Sequence, residues 1–177
     1  VGFQSSPIFD FEKYKDNYLI VSSFGEGAVC LDIESLGIIG DIGKLLPGYQ
    51  INKVVADTKG NLWFATEGGI AKFGDDLKLN KLFQAQVNSG YGLPHNNVSD
   101  ITIDFSGNVL AATRMGLAEY DPNLDDFRPV EEPKELKGKW ITEMTLDSNG
   151  YLWLNMNNGI AKYDVPNKTA HIYQVNS

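Results

Sequence analysis

The chain has 177 residues, 42% of them hydrophobic and 21% charged, enough for one domain with a sizeable core. Its formal charge is -8 and its Lys and Arg residues form no cluster, which argues against nucleic acid and anionic membrane surfaces as partners and leaves a neutral ligand such as a sugar open. No apolar run approaches the roughly 18 residues that span a bilayer, and no charged-then-apolar leader follows Val1, so the sequence reads as an excised piece of something longer.

Eighteen glycines, nine Phe, eight Tyr and three Trp favour strands joined by tight turns. The first unit is the least regular: "DNYLIVSS" (Asp16 to Ser23) followed by "GAVCLD" (Gly27 to Asp32). It holds the single cysteine, Cys30, which has no partner for an internal disulfide and no neighbours for a metal cluster. Cys30 is expected to be a buried structural thiol.

The second unit opens on "INKVVAD", turns, and continues with "NLWFAT", "GIAKF" and "KLFQAQ". The third repeats the order with "VSDITID", "NVLAAT", "GLAEY" and "DFRPV", and the fourth with "ITEMTLD", "YLWLN", "GIAKY" and "AHIYQV". Asp57, Asp104 and Asp147 stand 47 and 43 residues apart, and Gly69, Gly116 and Gly159 keep the same intervals. A period of this size points to a propeller or a solenoid.

Four short runs per unit, with β-branched and aromatic enrichment, predict a four-stranded antiparallel meander. No segment keeps the 3.6-residue apolar spacing of a helix for long. The second run is apolar at nearly every position (Leu62, Trp63, Phe64, Ala65), so both of its faces must be covered. Blades packed face to face supply that cover, which favours the propeller. The expectation is an all-β protein: a β-propeller fragment of about four antiparallel blades near residues 8–42, 51–85, 98–130 and 141–175, part of a larger ring of about seven.

In each Asp-x-x-Gly turn, the aspartate (Asp57, Asp104 or Asp147) is expected to accept backbone hydrogen bonds while glycine supplies the positive φ. Each turn offers only one carboxylate, on a separate blade, so calcium binding is disfavoured. Trp63 and Trp153 are expected to wedge between blades, with Leu110 in that place in the third unit. His95 and His171 lie in different units without Glu or Cys at ligand spacing, and no metal or cofactor is expected.

The stretch "GLPHNNVSDITIDFSGNVLAATRMGLAEYDP" (Gly92 to Pro122), together with "DTKGNLWFATEGGIAKF" (Asp57 to Phe73), resembles the two-component regulator propeller repeat. The shared pattern is Gly-Leu-Pro, a strand, Asp-x-x-Gly-Asn-Leu-Trp, then Gly-Leu and Tyr-Asp. The first unit lacks the Trp and the clean turn, and the third has Val109-Leu110 in place of Leu-Trp. The resemblance implies the periplasmic sensor portion of a hybrid two-component system, responsive to glycan breakdown products. The kinase would lie elsewhere in the full-length chain, and the remaining blades would be partners of these.

Propeller geometry puts the second-to-third strand turns and the interblade connections on one rim, where the segments are most varied. Phe24, Glu26, Glu67, Arg114, Met115, Asn155, Asn157 and Asn158 fall on the turns, and Tyr91, His95, Asn96 and Trp140 on the connections. Trp140, Tyr91, Arg114 and Asn157 could form a sugar site, an aromatic face beside hydrogen-bonding groups. Against this, Trp140 could start an inner strand and pack in the core, and Arg114 could simply pair with Glu67. A non-enzymatic oligosaccharide sensor is the leading expectation. The alternatives are a lyase of the streptogramin type, needing a histidine beside a carboxylate at the channel mouth, and a purely structural or dimerisation module. Uncovered blade faces would also favour self-association.

Overall fold

A computed structural model describes residues 7–23, 27–42, 50–86 and 89–174; the candidate rim residues Phe24 and Glu26 lie outside them. Sixteen strands form four sheets, each a four-stranded antiparallel meander in chain order. The first sheet contains β1 (Ile8–Tyr14), β2 (Tyr18–Ser23), β3 (Gly27–Asp32) and β4 (Ile38–Asp41). The second contains β5 (Ile51–Ala56), β6 (Leu62–Thr66), β7 (Gly69–Phe73) and β8 (Leu79–Phe83). In the third are β9 (Val98–Ile103), β10 (Val109–Thr113), β11 (Gly116–Asp121) and β12 (Asp126–Pro129), and in the fourth β13 (Ile141–Leu146), β14 (Leu152–Met156), β15 (Gly159–Asp164) and β16 (Thr169–Gln174).

The first strand of each sheet lies beside the first strand of the next, β1 on β5, β5 on β9 and β9 on β13. The sheets are therefore propeller blades fanned about an axis. The apolar side chains divide into three interblade cores. Ile20, Cys30 and Tyr14 meet Val54, Phe64 and Phe73 between blades one and two. Trp63, Ile70 and Phe83 meet Ile101, Ala118 and Phe127 between two and three. Leu110 and Leu117 meet Met144, Leu154 and Tyr163 between three and four. Cys30 is buried, and burial raises its thiol pKa, in keeping with a structural role.

The repeated phrase now has a mechanical meaning. Asp57 accepts hydrogen bonds at Oδ1 from the backbone N–H groups of Lys59 and Asn61, both at 2.9 Å. Its Oδ2 accepts the Asn61 amide at 2.8 Å and the Trp63 indole N–H at 3.1 Å. Asp147 holds its turn in the same way and receives the Trp153 indole at 2.9 Å. Asp104, where Leu110 replaces the indole, binds its turn and Asn108. Gly60, Gly107 and Gly150 all sit at positive φ, between 80° and 86°, a region open to glycine at little cost. The aspartate thus closes the turn and fixes the rotamer of the wedge.

Trp63 is 1% exposed, stacked on Phe83 at 5.8 Å and met edge-on by Tyr120 and Phe127 of the third blade at 4.8 and 6.1 Å. Lys72 lies over its ring at 4.7 Å. Trp153 keeps the local geometry but is only half-buried, on the open side of the fourth blade. It wedges against its own Tyr173 and not between two described blades, which narrows the sequence expectation. Trp63→Ala should therefore cost about 3–5 kcal/mol of unfolding free energy, the range for a buried large aromatic. Trp153→Ala should cost less than half of that, and urea denaturation of the two variants checks the difference.

Candidate functional site

The four inner strands line an open cavity of about 460 Å³, faced by polar groups from every blade. Each inner strand carries a β-bulge near its start, at Phe9, Asn52, Ser99 and Thr142. Bulges re-aim side chains, and two of these reach the neighbouring blade. The Asn52 amide donates to the Val98 carbonyl at 2.8 Å, and the Ser99 hydroxyl donates to the Ile141 carbonyl.

One charged side chain per blade follows the bulge at equivalent register: Asp10, Lys53, Asp100 and Glu143. Asp10 accepts the Val54 N–H at 2.9 Å, and Asp100 accepts the Met144 N–H at 2.6 Å, each from the next blade's inner strand. An inner strand is a sheet edge with unpaired N–H groups, so these carboxylates satisfy the edge and join the blades. Glu12 does the same for Ala56 at 3.3 Å. Lys53 cannot accept such a bond; it pairs with Asp10 at 3.0 Å. Burial pulls the Lys53 pKa down, but the bond to Asp10 and the charges of Asp10, Asp100 and Glu12 leave it raised overall. This series was readable as the third letter of "INKVVAD", "VSDITID" and "ITEMTLD", a charge recurring at one position of the first strand.

The rim above the cavity is also built by repetition. Thr66 and Thr113 close the second-to-third strand turns, their hydroxyls donating to Gly69 and Gly116 carbonyls at 2.9 and 2.8 Å. The turns then dock on the start of their own blade. Glu67 N–H donates to Gln50 at 3.2 Å, Arg114 N–H to Asn97 at 3.1 Å, and Asn157 N–H to the Trp140 carbonyl at 3.3 Å. Asn157 is therefore placed beside Trp140, and across the blade boundary the Arg114 guanidinium lies 5.2 Å from the centre of the Trp140 ring. The structure brings these three together.

Trp140 is 41% exposed and precedes β13, so it does not pack in the core. No ion pair joins Arg114 to Glu67 among the described residues. Tyr91 is exposed but separated from the set. The next residue, Gly92, donates its N–H to the Phe127 carbonyl in β12, which places Tyr91 along the outer edge of the third blade. The connection from β8 to β9 does not simply cross the rim, as the sequence suggested, but first runs down that edge. His95 accepts the Asn97 N–H at Nδ1 at 2.9 Å, so its ring serves a local turn, and no bond to a carboxylate is found for it among the described residues. Met115, beside Arg114, faces a cleft of about 220 Å³ walled by Pro94, Leu117, Pro129 and Val130. Among the described residues no group of three or more His, Cys, Asp or Glu could hold a metal.

Burial lifts the Asp100 pKa from 3.8 to about 6, against the lowering effect of its two backbone bonds. The folded protein thus binds this proton more tightly than the unfolded chain, and the contribution of Asp100 to stability falls as pH rises from 4 to 7. The stability difference between wild type and Asp100→Asn, wild type minus variant, should shrink across that interval by on the order of 2–3 kcal/mol. Urea titrations at stepped pH measure it.

Comparison with known proteins agrees with this architecture. Residues 45–68 match the family described as two component regulator propeller. No curated protein sequence matches the chain. Among solved structures, two extracellular domains assigned to Bacteroides systems are similar. One, from a B. thetaiotaomicron hybrid two-component system, has 21% identity and a TM-score of 0.76 over 96% of this chain and 23% of that one. The other, also from B. thetaiotaomicron, has 15% identity and a TM-score of 0.78 over 96% and 22%. A streptogramin B lyase has 15% identity and a TM-score of 0.76 over 99% and 57%. The chain thus spans less than a quarter of the length of the two extracellular domains. Its four sheets are blades of a β-propeller, and residues 45–68 within it match the two component regulator propeller family.

Proposed function

We propose that this chain is the non-enzymatic, ligand-binding part of a two-component signalling protein, on the extracytoplasmic side of the membrane, and that its ligand is an oligosaccharide. The observation that carries the reading is the juxtaposition of Arg114, Trp140 and Asn157 on one rim. An indole partly open to water offers a flat apolar face to a sugar ring, while the guanidinium and the amide offer donors and an acceptor to its hydroxyl edge. The cleft beside Met115 gives a neighbouring sugar unit an apolar wall. The similarity to extracellular domains of Bacteroides signalling systems supports the compartment and the non-enzymatic role.

The lyase reading finds less support. A general acid or base needs a partner to set its proton, and the Nδ1 of His95 is already occupied by a backbone N–H. Calorimetry against a panel of oligosaccharides tests the proposal. Binding is expected, with Trp140→Ala and Arg114→Ala each weakening it about tenfold or more, equivalent to about 1.4 kcal/mol. Both side chains are exposed, so melting temperatures should stay close to wild type. An empty panel together with turnover of a lactone antibiotic would refute the sensor.

A further inference from the structure

Because the rim is written several times over, its copies separate what builds a blade from what varies. The hydroxyl that closes the turn recurs as Thr66 and Thr113. The backbone bond that docks the turn recurs from Glu67 to Gln50, from Arg114 to Asn97 and from Asn157 to Trp140. The side chains at the two ends of that bond do not recur: the turn holds Glu67, Arg114 or Asn157, and the residue before the inner strand is Gln50, Asn97 or Trp140. Neither a cation nor an indole is therefore needed to form the turn or dock it. The cation and the indole stand in neighbouring blades and meet across one seam, the guanidinium 5.2 Å from the ring centre.

The charge of Arg114 is unmatched by the protein. The other arginine of the chain, Arg128, is held by Asp121 at 2.8 Å. Acidic residues outnumber basic ones by 23 to 15, yet among the described residues no carboxylate pairs with Arg114. Stacking on an indole occupies the flat face of a guanidinium and leaves its N–H edge open. That edge is a fork of donors whose spacing matches two oxygens of one anionic group. Trp140 is still 41% exposed with the guanidinium in place, so ring surface remains for a sugar. The hydroxyls of a neutral sugar need only uncharged donors and acceptors such as the Asn157 amide; an unmatched cation discriminates in favour of an anion.

We propose that, with the rim taken as the oligosaccharide site put forward above, its ligand is an acidic oligosaccharide. The Arg114 fork receives a carboxylate or a sulfate ester, a sugar ring lies on the open part of Trp140, and Asn157 meets the ring hydroxyls. The equivalent turn of the second blade carries Glu67 in the place of Arg114. A carboxylate there repels an anion, so the acidic group is directed to the seam between blades three and four, which fixes the orientation of the ligand along the rim.

Calorimetry on the complete gene product with paired probes tests this: a galacturonic acid trisaccharide against its methyl ester, and a sulfated disaccharide against its desulfated form. The members of each pair share their rings and differ in charge. At least one acidic probe should bind about tenfold or more tightly than its neutral partner, the first pair assigning a carboxylate and the second a sulfate ester. In Arg114→Gln the acidic and neutral members should bind alike. Arg114→Lys should restore only part of the preference, because the charge returns without the fork. The side chain is exposed, so both variants should melt close to wild type. Neutral oligosaccharides bound as tightly as the acidic probes, or a preference that survives in Arg114→Gln, would overturn the acidic assignment and leave the rim an oligosaccharide site. Failure of every sugar, acidic and neutral, would remove that site and the acidic assignment with it.

Discussion

The fold depends on one contact repeated at each seam: the second-strand wedge of one blade pressed against the inner face of the next. Ile20, Trp63 and Leu110 fill this position at the three closed seams. No blade has a core of its own, because a single four-stranded sheet cannot shield both of its faces. Burial between neighbours supplies the favourable term, at roughly 25 cal/mol per Å² of apolar surface. The aspartate in each turn improves that contact where the wedge is an indole, by holding the ring N–H at 3.1 or 2.9 Å. A buried indole N–H without an acceptor would be costly, so the turn and the wedge must be selected together.

The polar axis answers a different need. Packing faces together leaves each inner strand with an edge turned toward the cavity, and that edge must be satisfied or wetted. Asp10, Glu12 and Asp100 satisfy part of it with carboxylates, at the expense of desolvation that raises the pKa of Glu12 and of Asp100. Lys53 lies among these acids and offsets their charge. Among the described residues, the seam between blades two and three has no such carboxylate; it is joined by the Asn52 amide and by the aromatic cluster of Trp63, Phe83, Tyr120 and Phe127.

Much of this was legible in the sequence. The Asp-x-x-Gly spacing located the hairpins, and the unbroken apolar second strands announced cover on both faces, since side-chain alternation leaves no other explanation. The rim was legible in part. Topology alone puts Arg114, Trp140 and Asn157 at one end of their blades, but the path of the β8–β9 connection was not readable. Its descent along β12, which carries Tyr91 away, depends on a single backbone bond from Gly92 to Phe127. The bulges were hidden for a similar reason: an extra residue alters register and not composition. Their trace was a polar letter before three of the four axial charges, Asn52, Ser99 and Thr142, with Phe9 in that place before Asp10.

Since every seam is written by two adjacent stretches of about 45 residues, the rules for joining are local. Deleting or duplicating one whole unit would disturb two boundaries and leave the rest untouched, as in other nearest-neighbour arrays. Such a chain can change its diameter over evolutionary time in integer steps. The rim turn carrying Arg114 could then meet a different companion without any alteration to its own stretch of sequence.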